Sequence, residues 1–266
     1  MSETPFPPFG RIRVGIKTVM KKSLLLAALV LLVSTAASAA RKAIYKPWEN
    51  GRLKVSDNQR YLVHENGKAF FWLGNTSWLM PERLNRDEVE YFLDKERQCG
   101  YNVEQIQVLN AIPTFNVYGQ QANNKEFDFS RVSRPGIYGY WEHMDYIVDQ
   151  AEKNGIYIAM DCIWGSMIGD MDVKKATAYG KFLGERYKNK PNIIWLIGGD
   201  ILGDKSPEVW DALARAIKKY DKNHIMTFHP RGRTTSARWF NDREWMDFNM
   251  FQSGHRRYGI SHFRHF

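Results

Sequence analysis

The sequence predicts an α/β fold in which buried parallel strands alternate with amphipathic helices. Short apolar runs recur along the chain at strand length, and stretches with apolar residues at helical spacing separate them. The 266 residues, 44% of them hydrophobic, can bury a substantial core. An α/β barrel of about 250 residues would use nearly all of them. Disordered and fibrous classes are excluded by this composition.

The first 39 residues predict a cleaved signal peptide. Five basic residues lie between positions 11 and 22, an apolar run of ten residues follows at 24–33, and small residues occupy 36–40. That run is about half of the roughly 20 residues that a membrane-spanning helix needs. We therefore expect cleavage after Ala39, export to the periplasm or secretion, and no membrane anchor afterwards.

The basic charge of the chain does not predict a nucleic-acid partner. Cleavage after Ala39 would remove five basic residues and Glu3, so the formal net charge falls from +9 to +5. Apart from Arg256-Arg257, the remaining basic residues are scattered, whereas a phosphate backbone requires a basic stripe. The two cysteines, Cys99 and Cys162, are too few for a disulfide scaffold or a zinc site. We expect no metal and no cofactor.

Residues 40–68 predict an N-terminal extension with a short β-hairpin. Leu53 to Val55 and Tyr61 to His64 have the composition of strands, and Asn66-Gly67 is a turn signal. The next apolar run, Ala69 to Leu73, is the expected first strand of the main domain, which covers residues 69–266.

The main domain continues as an alternation of strands and helices. Asn85 and Glu88 predict a capping box at the start of one helix, and Gly100 marks its end. Further helices are predicted from Trp141 to Gly155, from Val173 to Tyr187 ahead of Pro191, and from Ser206-Pro207, an N-cap followed by proline. Strands are predicted at Val103 to Val108, Ile156 to Cys162, Asn192 to Ile197, His224 to Phe228 and Phe248 to Phe251.

Such an alternation predicts a parallel sheet that is either doubly wound or closed as a barrel. A dinucleotide-binding sheet has GxGxxG directly after its first strand, whereas here the strand runs into Gly74-Asn75-Thr76-Ser77-Trp78. Nucleotide binding is therefore disfavoured. The preferred fold is a (β/α)8 TIM barrel that is incomplete, with about six βα units.

In a barrel, functional residues lie where strands end and βα loops begin. Hydrogen-bonding or aromatic side chains occupy nearly every such position, which predicts a polar pocket, although any single Asn or Asp can also cap a helix or turn. The candidate binding residues are Asn75, Trp78, Gln107, Asp161, Trp164, His229, Gln252 and His255.

Two tryptophans beside strand ends, Trp78 and Trp164, are candidates for contact with a ligand. The face of an indole ring packs well against the C–H face of a sugar. The other three considered, Trp72, Trp195 and Trp210, fall within apolar strand or helix patterns and are expected in the core.

The segment Gly198-Gly199-Asp200 is the most informative candidate for catalysis. Two glycines let the backbone bend tightly, and they place a carboxyl group at the end of the fourth strand. In a partly apolar pocket, desolvation raises the pKa of a carboxyl group, as a general acid requires. The alternative is that Asp200 caps the next helix. A Gly-Gly-Asp triplet also occurs in cyclic-dinucleotide synthases, but Ile201-Leu202 is not the continuation expected there, so that alternative is rejected.

Other catalytic patterns are incomplete. Gly165 to Gly169 lacks the spacing of a nucleophile elbow. His262 and His265 are three residues apart, but neither an HExxH pattern nor a nearby acidic side chain accompanies them. A C-terminal tail is therefore preferred to a metal site.

Four segments carry a resemblance to a known family. They are Tyr61-Leu62-Val63 with Asn66-Gly67-Lys68, Phe71 to Trp78, Pro191 to Asp200, and Phe251 to His255. In this order, over residues 50 to about 258, they resemble the apiosidase-like glycoside hydrolases. Members of that family are exported bacterial (β/α)8 barrels, long catalogued as a domain of unknown function.

The resemblance implies hydrolysis of plant cell-wall glycans, such as pectic side chains, by a retaining mechanism with two carboxylates. The acid/base carboxyl of the family matches Asp200. Its nucleophile is a glutamate near the end of the seventh strand, in a segment like Asp-Gly-Glu-Pro, and this chain has no such segment. Asp161 is the nearest stand-in. We therefore expect a C-terminally truncated barrel with little or no catalysis by this chain alone.

Two alternatives stay open. A non-catalytic carbohydrate-binding protein would keep the pocket and bind an oligosaccharide or polysaccharide without cleaving it. A purely structural fragment would not fold stably, and a cooperative thermal melt would exclude it.

Overall fold

A computed structural model describes residues 44–124, 126–129 and 136–255. The predicted signal peptide, the pair Arg256-Arg257, and His262 and His265 lie outside these described residues. Within them, no helix is both long enough and apolar enough to cross a membrane.

A small antiparallel sheet precedes the main domain. After a 3-10 helix at Pro47–Asn50, strands β1 (Leu53–Val55), β2 (Leu62–His64) and β3 (Ala69–Phe70) pair in the order β1-β2-β3. Gly67 has φ +86° in the turn between β2 and β3, a conformation that glycine adopts without steric cost. The predicted hairpin at Asn66-Gly67 is therefore confirmed.

The main domain is built on a five-stranded parallel sheet. Its strands β4 to β8 pair in sequence order, and each crossover carries helical segments on the outer face. The strands are β4 (Gly74–Thr76), β5 (Val103–Gln107), β6 (Tyr157–Asp161), β7 (Ile193–Ile201) and β8 (Met226–Pro230). The helices are α1 (Met80–Arg83), α2 (Arg86–Cys99), α3 (Tyr140–Asn154), α4 (Val173–Tyr187) and α5 (Pro207–Tyr220), with a 3-10 helix at Gly165–Asp170.

The α/β prediction is confirmed, and the strands found are those of an incomplete barrel, since β4 and β8 do not pair in the described part of the chain. Two predicted strands differ. The apolar run 69–73 divides between β3 and the segment before β4, so Asn75 lies within a strand rather than after one.

The run predicted as a sixth parallel strand, Phe248 to Phe251, does not join the sheet. Its end forms β10 (Phe251–Gln252), which pairs antiparallel with β9 (Thr234–Thr235) around helix α6 (Ala237–Phe240). Beside β8, one backbone bond, from the Asp247 N–H to the Met226 carbonyl at 2.9 Å, is supplemented by side-chain bonds. The carboxylate of Asp247 accepts from the Met226 N–H at 2.7 Å, and Thr227 Oγ1 donates to the carbonyl of Phe248 at 2.6 Å.

The predicted helix ends are mostly confirmed. Asn85 and Glu88 form the capping box of α2, while Gly100 and Gly155 end α2 and α3 in the left-handed conformation. Ser206 precedes α5 as expected, but it has φ +50° and makes no capping bond with its side chain. The predicted side-chain cap at Ser206 is therefore wrong.

The core lies on both faces of the parallel sheet. Ile106, Ile158 and Trp195 pack with the helices, while alternate residues such as Val103 and Tyr157 pack on the opposite face with the N-terminal sheet. Trp195 and Trp210 are buried on the helix side as predicted, whereas Trp72 is partly buried and packs on the opposite face.

Candidate active site

The structure brings four predicted residues to the carboxyl-terminal edge of the sheet. Gln107 ends β5 and lies in register with Asp161, which ends β6. On β7, Gly198 lies in register with His229 of β8, and Asp200 follows two residues later. Because the carboxyl ends of neighbouring parallel strands meet at one edge, these residues lie at the same end of the sheet.

A bulge in β7 exposes Asp200. Gly198 and Gly199 have φ of +112° and +114°, Asp200 has φ +50°, and the pairing with β8 shifts between Gly198 and Ile201. A Cβ atom at Gly198 would lie 2.5 Å from the carbonyl oxygen of His229, so the close approach of β8 requires glycine there. Asp200, which lies at this bulge, is exposed.

The predicted environment of Asp200 is therefore wrong in one respect. We expected a partly apolar pocket that desolvates this carboxyl, whereas Asp200 is exposed. Its backbone N–H donates a hydrogen bond to Nδ1 of His229 at 3.2 Å. The helix-cap alternative also fails, because α5 begins at Pro207.

Asp161 is the desolvated carboxyl of the site. It has no exposed surface, and neither of its carboxyl oxygens has a hydrogen-bond partner in the described residues. Burial raises the pKa of Asp161 well above its ordinary value, and the charge of Asp200 adds to the effect. Burial therefore favours the protonated form of Asp161.

This state does not fit the role of nucleophile. A glycosidase nucleophile must be ionised and must reach the sugar. Asp161 is enclosed and burial favours its uncharged form, and a Cβ atom at Gly199 would lie 3.0 Å from its Oδ2 and 2.7 Å from Cε3 of Trp164. The structure therefore leaves Asp161 as a buried proton-holding group behind the bulge.

An aromatic cluster lies beside the two carboxyl groups. The ring centroids of Trp78 and Trp164 are 5.6 Å apart, and those of Trp78 and His229 are 5.4 Å apart. Both indoles are partly exposed, which leaves ring area for a ligand. Burial lowers the pKa of His229, with a smaller opposite effect from Asp200, so the imidazole is neutral at pH 7.

A cleft of about 420 Å³ opens beside Asp200. It brings Gln252 and His255, as predicted, to the same place, since Arg233 N–H donates to the Gln252 carbonyl at 2.6 Å across the β9–β10 pair. Arg231 and Arg233 also line it, and sequence reasoning missed both. Their signal was available, because Arg-Gly-Arg follows directly after the fifth strand of the parallel sheet.

One predicted residue lies apart from the others. Asn75 Nδ2 donates to Oε2 of Glu96 on α2 at 3.2 Å, so this side chain is engaged on the helix side of the sheet. Gln107 is buried with its Oε1 lacking a hydrogen-bond partner within the described ranges. No group of three or more His, Cys, Asp or Glu in those ranges is placed to hold a metal ion.

Comparison with solved structures assigns this fold to the glycoside hydrolase class. A crystal structure of a glycoside hydrolase family 5 protein from Bacteroides vulgatus ATCC 8482 is 64% identical, with a TM-score of 0.80 over 82% of this chain and 48% of that chain. A second structure, described as a glycoside hydrolase, is 62% identical, with a TM-score of 0.79 over 81% and 49% of the two chains.

The chain belongs to the family described as "Apiosidase-like, catalytic domain", which matches residues 56–265. The resemblance seen in the four sequence segments is thereby confirmed. The chain spans about half the length of the solved structures that it matches. A comparison with curated proteins finds no match.

Proposed function

We propose that the chain carries the acid/base half of a retaining glycosidase site that acts on plant cell-wall glycans of the pectic type. Asp200 is the proposed acid/base: it protonates the leaving-group oxygen and then removes a proton from the attacking water. The observation that carries this proposal is the position of Asp200, which is exposed at the β7 bulge and lines a cleft together with Gln252 and His255. Trp164 packs next to the preceding residue, Gly199.

Each neighbour has a part in the proposal. The indole faces of Trp78 and Trp164 take the C–H faces of the sugar, while Gln252 and His255 offer hydrogen bonds to its hydroxyl groups. Arg231 and Arg233 give the same cleft positive charge, and this supports a substrate that contains uronic acids, as pectic glycans do.

The nucleophile of this proposal is not Asp161, for the reasons of charge and burial given above. The 266 residues contain no segment like Asp-Gly-Glu-Pro, which the family resemblance assigns to that role. We therefore expect this chain alone to bind oligosaccharide with little or no turnover. Binding without cleavage is accordingly the second candidate function.

The test measures binding and turnover separately. Calorimetry with trigalacturonate and other pectic oligosaccharides should detect binding, and aryl glycosides should be hydrolysed slowly or not at all. In the Asp200→Asn variant any residual turnover should disappear while binding remains. Asp204→Asn is the matched control, because Asp204 is an exposed aspartate four residues further along that does not line the cleft.

Two results would count against the proposal. Absence of binding to every pectic fragment would remove the assigned substrate class. Robust turnover that survives Asp200→Asn would show that another group is the acid/base.

A further inference from the structure

Glu104 is a buried carboxyl group that the active site described above does not use. It is the second residue of β5, and its side chain has no exposed surface. In a strand, alternate residues face opposite sides. Glu104 shares the helix side of the sheet with Ile106, whereas Gln107 lies on the other side with Val103.

Two hydrogen bonds connect Glu104 and its neighbour Glu96 to β4 and to Ser77, which directly follows it. Ser77 Oγ donates to Oε2 of Glu104, and Asn75 Nδ2 donates to Oε2 of Glu96 at 3.2 Å. The other oxygen of Glu104, Oε1, is buried and accepts no hydrogen bond from the described residues. A proton on Glu104 would allow this oxygen to take part in a hydrogen bond, because a protonated carboxyl can donate to the carboxylate of Glu96.

The electrostatics of the pair agree with one shared proton. Burial raises the pKa of Glu104 to about 8, and the negative charge of Glu96 adds to the increase. Around Glu104, β4 contributes the neutral side chain of Asn75 in register, the residue after β4 contributes that of Ser77, and β6 contributes apolar Ile158 in register. In the described part of the chain, the charge that acts on Glu104 comes from Glu96 of α2.

Hydrogen bonds of Ser77 and Trp78 connect this pair to the part of the sheet that carries the active site. Its backbone N–H donates to the carbonyl of Gln105 at 2.9 Å, and the carbonyl of the next residue, Trp78, accepts from the Gln107 N–H at 2.9 Å. The corner between β4 and α1, formed by residues 77–79, therefore has both backbone and side-chain bonds to β5. The indole of Trp78 extends from this corner towards Trp164 and His229.

We propose that Glu104 is a positioning residue: it holds the 77–79 corner, and with it Trp78, through the bond from Ser77, and one proton shared with the partly exposed Glu96 keeps the pair at a single negative charge. The consequence for ligand binding rests on the proposed function, in which Trp78 contacts the sugar. The role of Glu104 in holding the 77–79 corner does not depend on the proposed function.

The shared proton has a defined effect on stability. In the unfolded chain Glu104 ionises near the ordinary value of 4.5, whereas in the folded chain it keeps its proton to about pH 8. Between these values the folded state binds more protons, so stability falls as pH rises. Between the two pKa values, the titration of Glu104 increases the equilibrium constant for unfolding roughly tenfold per pH unit.

Glu104→Gln tests the proton. Glutamine keeps the size, an acceptor for Ser77 and a donor for Glu96, but it does not titrate. Urea unfolding at pH values from 5 to 8 should show that the variant lacks the part of the pH dependence that the wild type owes to Glu104. Glu152→Gln on α3, a partly buried glutamate, is the matched control and should follow the wild type. Parallel curves for Glu104→Gln and the wild type would overturn the shared proton.

Ser77→Ala and Glu104→Leu test the positioning. Both should raise amide hydrogen exchange at residues 77–80 at least tenfold, while Glu104→Gln should not. They should also weaken trigalacturonate binding measurably in calorimetry, again with rescue by glutamine. Unchanged exchange in Ser77→Ala would overturn the positioning role. If the wild type binds no oligosaccharide, the proposed function fails, and the pH and exchange results still decide the role of Glu104.

Discussion

The backbone N–H of Asp200 donates to Nδ1 of His229, with 3.2 Å between the two nitrogen atoms. This bond requires Nδ1 to be unprotonated, so the neutral imidazole carries its hydrogen on Nε2. Burial favours the same state by lowering the pKa of His229. The β7 bulge that presents Asp200 is thus held by a histidine that must stay neutral.

We predict that acid weakens this arrangement. The unfolded chain binds a proton at His229 near the ordinary value of 6.5, but the folded chain resists it, so the stabilising contribution is present above pH 6.5 and is lost as pH falls below it. His229→Asn should remove this part of the acid dependence, since Oδ1 can accept the same bond. His229→Ala should lose the bond, and its free energy of unfolding should be lower than that of the wild type by about 1 kcal/mol.

The measurement is urea unfolding between pH 5 and 8. His255→Asn, at an exposed histidine of the cleft beside Asp200, is the control. An acid dependence identical in wild type and His229→Asn would show that His229 is not held neutral.

A second prediction concerns Asp161, which burial keeps protonated. Above the ordinary value of 3.8 the unfolded chain loses this proton while the folded chain keeps it, so the wild type loses stability as pH rises. Asp161→Asn should be as stable as the wild type or more so at pH 7. Its advantage should increase with pH by up to about 1.4 kcal/mol per unit.

Chemical denaturation of the two proteins from pH 4 to 8 checks this, with Asp204→Asn as the exposed control. If the Asn variant is instead less stable across the whole range, Asp161 is ionised and paired in the folded protein.

Asp200 and Asp161 show how far the sequence could predict the site. The position of Asp200 at the carboxyl-terminal end of β7 followed from Gly198-Gly199, but its exposure did not. Exposure depends on a bulge that shifts the pairing between Gly198 and Ile201, and single-sequence patterns do not encode a shift of register. Desolvation therefore applies to Asp161 instead.

Local signals predicted the fold better than contacts between distant segments. The Asn85 capping box and the Asn66-Gly67 turn each depend on a few neighbouring residues, and both are present. The supposed sixth strand failed because Asp247, which precedes it, bonds the edge of β8 with its side chain. Asn75 does not lie in the predicted pocket, since its side chain donates a hydrogen bond to Glu96, 21 residues away.

A third prediction concerns the close packing at Gly199. Alanine there would combine φ +114° with a Cβ 2.7 Å from Cε3 of Trp164 and 2.9 Å from the Gly165 nitrogen. We expect Gly199→Ala to destabilise the protein by about 1–3 kcal/mol and to displace Trp164. Urea unfolding and near-ultraviolet circular dichroism measure these effects.

Gly119→Ala separates backbone strain from crowding. Gly119 has φ +73° but no atom within 4 Å of a Cβ, so this variant reports the strain of a positive φ alone. If Gly199→Ala and Gly119→Ala lower the free energy of unfolding equally, contact with Trp164 adds nothing to the destabilisation at Gly199.

The last prediction concerns Arg231 and Arg233, which are exposed in the cleft beside Asp200. No ion pair of the described residues uses either guanidinium, so both are free to attract a substrate carboxylate. Arg231→Gln and Arg233→Gln should each weaken trigalacturonate binding about two- to fivefold, the range of an exposed ion pair, and leave neutral galactotriose unaffected. Calorimetry measures both, and the difference should vanish near 1 M salt, where the screening length is about 3 Å. Arg238→Gln, an exposed arginine that lies over Trp239 outside the cleft, is the control. Equal loss of affinity for acidic and neutral trisaccharides would mean that the arginines shape the cleft and do not select for uronic acids.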